Sequence, residues 1–562
     1  MGGNSMKGKL VFATAVTFGI LLSFVLFIIV LATYFTGLIG GPIMIFLTVV
    51  FSFISWLISP WVIDLIHKWF YKFKFIEIED LERRSPHTAK FLREACERNG
   101  IKIPMLRIVD DLNPTAYCYG SYPSNSRIVV SEGLFHYLTP EEVTAVYGHE
   151  LGHIKNLDFI VMTVANTLLM ILYEVYVIFT RFRSRGKNPL PLIGLVSLLF
   201  WWIGSYVVLY LSRTREYLAD HFSGVETGDP NALATALVKI AYGIATQPDT
   251  VNTKRLLAST RSLGISDYKN ADSVGTAVSV AAGVKNIESR KIKEFDPRRV
   301  SKVFLFDIYN PWSKIVQLGS THPLTGKRIK ALMELCVERK VGPLFNFDEI
   351  TLEGHKLDRG RLYGRFFLEV MIYFAPIMGL FFGLIITALK LEYFSVILIF
   401  FGLGMLLKAI YRYPPISEPE VTTVFDLMCN PYASPLRGKP VTLNGVVIGK
   451  ARAGSIFSED LAIHDVSGGL IVLNYESIVP LFGNIFFGFS TSKKIINRNV
   501  ESVGWFRRKV SQIVDLKSIF TEDRKYKSYT RFKAIALALF VVAAGFVAGS
   551  IFTIVHTLSL AG

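Results

Sequence analysis

Two histidines four residues apart with a glutamate between them, His149, Glu150 and His153 in "AVYGHELGHIKN", are spaced for chemistry. On a helix, positions four apart lie one turn apart on one face, so both imidazoles can reach a single metal ion. Zinc suits such ligands, and Glu150 is placed to take a proton from a water that the ion activates. The same spacing also arises by chance, as two solvent-facing histidines on an ordinary helix. A third ligand separates the two readings, because catalytic zinc usually has three protein ligands and one open position. About sixty residues on, "LSRTREYLADHFSG" offers Glu216 and Asp220, again four apart. Glu216 can complete a His-His-Glu set, and Asp220 can hydrogen-bond the outer nitrogen of a ligand histidine. The plainer reading of that stretch is an exposed acid pair bridging to Arg213 or Arg215.

The elements that must hold these residues are partly legible. Thr139 as N-cap, Pro140 at the first helical position and Glu141 and Glu142 in the first turn predict a helix carrying both histidines. Upstream, "SPHTAKFLREACERNG" has apolar residues at helical spacing and ends in a glycine suited to a C-cap. "IKIPMLRIVD", "NPTAYCYG" and "SRIVVSEGLF" read as three strands, the last two joined by the turn-rich "SYPSN".

Around these lie long apolar runs, in a chain of 562 residues that is 51% hydrophobic. They cover Leu10–Phe35, a segment from Pro42, about Phe159–Thr180, Pro191–Leu211, Phe367–Leu389, Tyr393–Ile410 and Phe532–Leu558. Each has roughly the 20 apolar residues needed to cross a bilayer core, so seven spans and an α-helical membrane protein are expected. The first run is too long for a signal-peptide core, and no small-residue cleavage site separates it from the second. The net charge of +16 is explained first by the positive-inside bias. Most Lys and Arg fall in Ile63–Asp158, Ser212–Arg365 and Tyr411–Arg531, which paired spans return to one side, the cytoplasmic one. The loop "RFRSRGK", Arg181–Lys187, breaks that rule. The four cysteines show no paired or metal-ligand spacing.

The expected division is two transmembrane helices over 1–62 and a metallopeptidase domain over 63–340, interrupted by spans at about 159–180 and 191–211. A transmembrane hairpin follows at 366–411, then a β-rich domain at 418–527 and a last span at 532–558. After the Pro-rich "PPISEPE", the β-rich segment alternates apolar and polar residues in short runs separated by turns. It reads as a small antiparallel barrel, OB-like in type. Trp505, Arg507 and Arg508 leave two surface readings for it. The favoured one is a structural or substrate-docking barrel whose basic residues face anionic lipid; the disfavoured one is a nucleic-acid surface. His464 is unaccompanied and reads as structural.

The chain resembles the HtpX-type membrane zinc metallopeptidases, related to the CAAX prenyl endopeptidases, over about residues 10–335. The resemblance rests on the helical pair followed by two strands, "GHELGHIKNLD", "SRTREYLAD", "DPNALATALVKIAYG" and "STHPLTGKRI" at Ser320–Ile329. It implies an α+β zincin-type domain in which His149, His153 and Glu216 hold one Zn2+ per chain. It further implies Glu150 as the acid/base, Asp220 as an orienting group and His322, in the family's His-Pro element, as an oxyanion stabiliser. A helix-capping histidine before Pro323 is the other reading of His322. Where the family commonly has Asn-Ala, this chain has Thr115-Ala116, which puts a direct side-chain role there in doubt; the strand could still align a peptide by main-chain pairing.

The expected function is endopeptidase action on membrane or membrane-associated proteins at the cytoplasmic face of the cell membrane, in protein quality control. The alternatives are a CAAX-type processing protease, or a membrane scaffold with a vestigial zinc site and a binding barrel. A site-2 type intramembrane protease does not fit, because "TPEEVTAVYG" before His149 is too polar for a lipid-facing span. Partners are then protein or peptide substrates and the lipid bilayer, with nucleic acid not expected; the sequence does not give the oligomeric state.

Overall fold

A computed structural model of the chain describes residues 2–36, 40–70, 73–181, 190–246, 295–389, 394–450, 459–508 and 512–561. Apart from Arg181, the loop that breaks the charge rule lies outside the described residues. Two long apolar helices, α1 (Gly2–Thr36) and α2 (Gly40–Phe70), come first. They are followed by β1 (Phe73–Ile76), α3 (Ile78–Arg84), α4 (Pro86–Asn99), β2 (Met105–Val109), β3 (Ala116–Gly120), β4 (Ser126–Ser131) and α5 (Glu132–Tyr137). The metal-motif helix α6 (Pro140–Lys155) leads into α7 (Asp158–Arg181), α8 (Leu190–Thr227) and α9 (Pro230–Thr246).

Among the described residues, seven helices are long and apolar enough to cross a membrane, α7 and α8 included. At 1.5 Å per residue the 24 residues of α7 span roughly 36 Å, longer than a hydrocarbon core of about 30 Å. Glu216 lies far along the 38-residue α8, roughly 39 Å from its start, in the part that continues beyond such a core.

The four strands form one sheet in the order β1-β2-β4-β3, with β2 and β4 parallel and the other pairs antiparallel. Strand β1, "FKFI", was not read from the sequence; it pairs Phe73–Ile76 with Leu106–Val109. The last strand in the order, β3, is an edge. Behind it the end of α2 is bound to the sheet through Asp64, which accepts from Tyr119 Oη at 2.7 Å and Arg127 at 3.0 Å.

α6 begins as its sequence requires. Thr139 accepts from the Glu142 amide at 3.3 Å and Glu142 accepts from the Thr139 amide at 2.8 Å, a reciprocal cap. Glu142 is also buried against Lys239 of α9 at 2.7 Å, which ties the helix start to the core. That core is built from α4, the sheet, α6, α9 and the later helix Thr325–Glu338, with Leu92, Ile128, Leu151, Leu237 and Ile329 all fully buried.

The C-terminal β-rich part closes into a five-stranded barrel. β6 (Lys439–Lys450) pairs with β7 (Leu461–Asp465), β7 with β8 (Leu470–Asn474), β8 with β10 (Gln512–Phe520), β10 with β9 (Asn499–Arg508), and β9 back with β6. One short strand flanks the ring on each side, β5 (Glu420–Val421) beside β6 and β11 (Lys525–Lys527) beside β10. The residues read as its basic surface lie inside. Trp505, Arg507 and Arg508 are only 2–3% exposed. Arg507 Nε donates to Asp515 at 2.7 Å, and Arg508 donates to the carbonyls of Met428 and Val303. Their partners come from a neighbouring strand, the short helix Val424–Cys429 and the peptidase part, so no local pattern marks them as internal.

The barrel, the membrane hairpin and the peptidase part meet at Glu369 of the helix Arg359–Leu389. Its buried carboxylate accepts from Trp312 Nε1 and Ser434 Oγ, both at 2.6 Å, and from Arg365 Nε at 2.9 Å. With the Tyr411 hydroxyl donating at 3.3 Å, four donors satisfy this buried carboxylate.

Candidate metal centre

His149 and His153 project from one face of α6 towards α8. Gly148 and Gly152 allow the two helices to approach closely. A Cβ on Gly152 would stand 3.0 Å from Ala219 Cα, and one on Gly148 would stand 3.0 Å from Ser223 Oγ. Ser223 Oγ in turn donates to the Ala145 carbonyl at 2.6 Å, locking the crossing. Glu216, three residues before Ala219, is thereby brought over the histidine pair.

The three donor groups converge. His149 Nε2 and His153 Nε2 are 3.1 Å apart, and Glu216 Oε2 and Oε1 stand 3.6 Å from each in turn. One ligand atom from each residue lies within 4.8 Å of the others. The outer nitrogens are held by acids. His149 Nδ1 is 2.9 Å from Asp220 Oδ1 and His153 Nδ1 is 2.5 Å from Asp158 Oδ2. With a carboxylate beside each Nδ1, both Nε2 atoms face one space.

That arrangement fits a cation. Two imidazole nitrogens 3.1 Å apart can share a proton or a metal ion, and the buried Glu216 Oε2, which has no hydrogen-bond partner, is an acceptor that a metal ion would satisfy. Donors on a tetrahedron of zinc–ligand radius about 2.0–2.1 Å are about 3.3 Å apart, close to the spacings here. Burial lowers the His149 pKa to about 3, leaving the imidazole neutral as a ligand must be. Glu150 is fully buried, both its carboxylate oxygens lack partners, and burial pushes its pKa up to about 7. A carboxyl of that pKa accepts and returns a proton near neutrality.

The remaining motif residues are placed as follows. Glu216 and Asp220 are buried, 6% and 1% exposed, and not an exposed acid pair. Arg213 points away from them and donates to the carbonyls of Gln317 and Ser320 at 3.0 and 2.8 Å. Arg215 pairs with Asp158. His322 is buried with Nε2 3.3 Å from Glu216 Oε1; the cap of the following helix is Leu324. Ser212 Oγ donates to the Thr321 carbonyl at 3.0 Å, so α8 grips the His322 loop from two positions. Thr115 is buried just before β3, its amide donating to Ser131 Oγ at 2.9 Å.

Sequence reasoning missed Asp158 and Arg328. Arg328 donates to both oxygens of Asp220, at 2.8 and 2.6 Å, and stands 3.7 Å from Glu216. Attraction to Asp220 outweighs desolvation and raises its pKa. The available signals were Asp158, five residues after His153, and Arg328, six after His322. Cys118 of β3 also lies here, 3.5 Å from the Glu150 carbonyl, with burial and the Glu150 charge raising its thiol pKa.

A helix bearing His-Glu-x-x-His, closed by a carboxylate from a second helix and set among apolar helices, defines a membrane metalloprotease, and the comparisons agree. The family model "Peptidase family M48" matches residues 83–336. A protease HtpX homolog of Methanothermobacter thermautotrophicus is 33% identical over 241 residues, covering 43% of this chain and 87% of that one. A protease HtpX homolog of Thermococcus kodakarensis is 30% identical over 220 residues, covering 38% and 74%. Against the crystal structure of S. mikatae Ste24p, 58% of this chain and 65% of that one align at a TM-score of 0.30 and 18% identity. The chain belongs to peptidase family M48, as an HtpX-type metallopeptidase. Peptidases of this family are zinc metalloproteases, and the His149, His153 and Glu216 group is a site of the right composition.

Proposed function

We propose that this chain is a zinc-dependent endopeptidase that cuts membrane or membrane-associated proteins at the cytoplasmic face of the cell membrane, in protein quality control. The observation that carries the proposal is the convergence of His149, His153 and Glu216 within 4.8 Å, with the unpartnered Glu150 carboxylate beside them. On this reading those three residues hold one zinc ion, and Asp220 and Asp158 fix the two imidazoles. Residues 63–340 form a zincin-type unit interrupted by two spans, with membrane helices over 1–62, 366–411 and 532–558 and an OB-like barrel over 418–527. The cytoplasmic assignment is supported by the concentration of Lys and Arg in the segments that bear the site. Membrane-linked substrates are supported by the position of the site, where α6 runs into α7 and α8 continues past a bilayer's thickness.

A zinc ion held by His149, His153 and Glu216 would supply Lewis acidity, lowering the pKa of a water towards roughly 7. Glu150 takes the proton of the attacking water and delivers it to the leaving amine, for which its raised pKa suits it. His322, held over Glu216 by the loop that Arg213 and Ser212 grip, donates from its ring to the oxygen on which charge develops. Edge strand β3, buried but unpaired on its outer side among the described strands, offers an extended substrate a main-chain partner. Glu150→Gln should retain one zinc per chain and lose peptide cleavage, whereas Glu216→Ala should lose the zinc. Cleavage-site mapping on membrane proteins with wild type and Glu150→Gln tests the reading. A Glu150→Gln protein cutting at near wild-type rate would overturn Glu150's role, and the absence of any specific cut by the wild type would overturn the endopeptidase assignment.

A further inference from the structure

The barrel carries a surface that peptide hydrolysis does not use. Between β8 and β9 the chain makes a continuous helical run through Pro480–Phe486, Phe487–Thr491 and Ser492–Ile495. One side of the run is seated in the barrel. Phe487 stacks on Tyr475 with ring centroids 3.6 Å apart, and Ile495 is fully buried. The other side is bare: Phe482 is 75% exposed, Phe486 66% and Phe489 51%, with Ile485 beside them and Ile478 and Val479 leading in. Positions 482, 485, 486 and 489 recur at helical spacing, so these side chains form one stripe. A contiguous apolar stripe of this size is an interaction surface rather than a solvated face.

The surroundings identify what covers it. The barrel is attached to membrane helices at both ends, Ser395–Arg412 before it and Thr530–Ala561 after it. The run is joined through Glu476 to the first turn of the second of these. Lys533 Nζ pairs with Glu476 Oε1 at 2.6 Å, the Tyr529 amide donates to the Glu476 carbonyl at 2.8 Å, and Asn484 of the run donates to the same Glu476 carboxylate at 3.0 Å. The stripe therefore sits level with the point where that span begins. Lys493 and Lys494 are exposed at the far end of the run, with Lys493 Nζ 4.8 Å from the Phe489 ring centroid. An apolar face ending in lysines, at the height of a membrane boundary, matches an anionic lipid interface.

We propose that residues 478–494 are an interfacial membrane anchor, with Phe482, Phe486 and Phe489 inserted into the bilayer surface and Lys493 and Lys494 on the headgroups. Insertion at such an interface is roughly 5–10 Å deep. The anchor does not depend on the zinc site and sets the height of the barrel over the membrane independently of its two tethers.

The test uses the full chain in nanodiscs of mixed phosphatidylcholine and phosphatidylglycerol, with a nitroxide on a cysteine introduced at Phe482→Cys or Phe486→Cys. Cys96, Cys118 and Cys336 are buried, and the unsubstituted chain is the labelling blank that subtracts any nitroxide taken up by the half-buried Cys429. Phe540→Cys, on the lipid-exposed face of the last span, is the lipid reference, and Val466→Cys, 75% exposed between β7 and β8, is the water reference. Collisions with oxygen should match the Phe540 label, and collisions with a water-soluble nickel chelate should fall well below those at the Val466 label. Nickel collisions equal to those at Val466 would overturn the proposal, because the stripe would then be in water. Protection from both reagents would overturn it equally, because a protein surface would then cover the stripe.

Discussion

Alanine at Gly152 sets two physical effects against each other. Helix propensity alone favours alanine over glycine in a helix interior by about 1 kcal/mol. Here the new Cβ would stand 3.0 Å from Ala219 Cα, 3.2 Å from Phe222 Cδ1 and 3.3 Å from the Ala219 carbonyl oxygen. Ordinary carbon contacts lie at about 3.5–4.0 Å, so α8 must retreat by roughly 0.5 Å. Overpacking of this kind costs about 1–3 kcal/mol, which leaves a net loss of about 0–2 kcal/mol. The larger effect falls on the metal. Glu216 is less than one turn from Ala219 and moves with it, whereas metal–ligand distances tolerate only about 0.2 Å. Gly152→Ala should therefore bind zinc about 10–100-fold more weakly while the metal-free protein melts close to wild type. Competition against a chromophoric chelator, paired with thermal unfolding with and without zinc, measures both. If Gly152→Ala were more stable by the propensity term and bound zinc as tightly as wild type, the close helix approach would not set the site.

Asp158→Asn and Asp220→Asn should each weaken zinc binding about 10–100-fold by releasing one imidazole. Each also removes the carboxylate beside a buried arginine, Arg215 for Asp158 and Arg328 for Asp220, so both should lower the melting temperature, and Asp220→Asn the more because Arg328 loses two hydrogen bonds. In the barrel, burial pushes the Asp515 pKa up, but Arg507, Arg412 and the bond from Asn474 outweigh it and leave the carboxyl below its ordinary value. A folded pKa below the unfolded one means stability that is present above about pH 4 and is lost as pH falls through the folded value. Asp515→Asn should therefore destabilise the barrel by about 3–5 kcal/mol at neutral pH and flatten its acid-unfolding profile below pH 4.

What the sequence made legible was set locally. The start of α6 is decided by Thr139, Pro140 and Glu142 within four residues, and the one-turn relation of His149 and His153 follows from helix geometry alone. The spans are equally local, since a run of about 20 apolar residues specifies its own solvent. Strand β1 was missed because "FKFI" continues an apolar helix and becomes a strand only by pairing with β2. Alternation revealed β-structure near the C-terminus, but closure depends on β9 returning to β6 more than fifty residues on. Arg507 and Arg508 read as surface charges because their partners, Asp515 and the Met428 and Val303 carbonyls, exist only in the folded chain. Arg328 was hidden for the same reason, its partner Asp220 lying 108 residues earlier.

The proposed ligands fall on either side of two apolar helices, which gives synthesis an order of events. His149, Glu150 and His153 leave the ribosome 66 residues before Glu216 and 172 before His322, counting from Glu150. At about 5–20 residues per second, the motif helix waits roughly 3–13 s for its third donor and about 9–34 s for the loop that covers it. Throughout that interval the nascent chain carries the proposed base, Glu150, without a closed metal site. Completion requires α8 to fold back along α6, which cannot happen until the intervening hairpin is in place. Membrane insertion of that hairpin thus precedes closure of the proposed metal site.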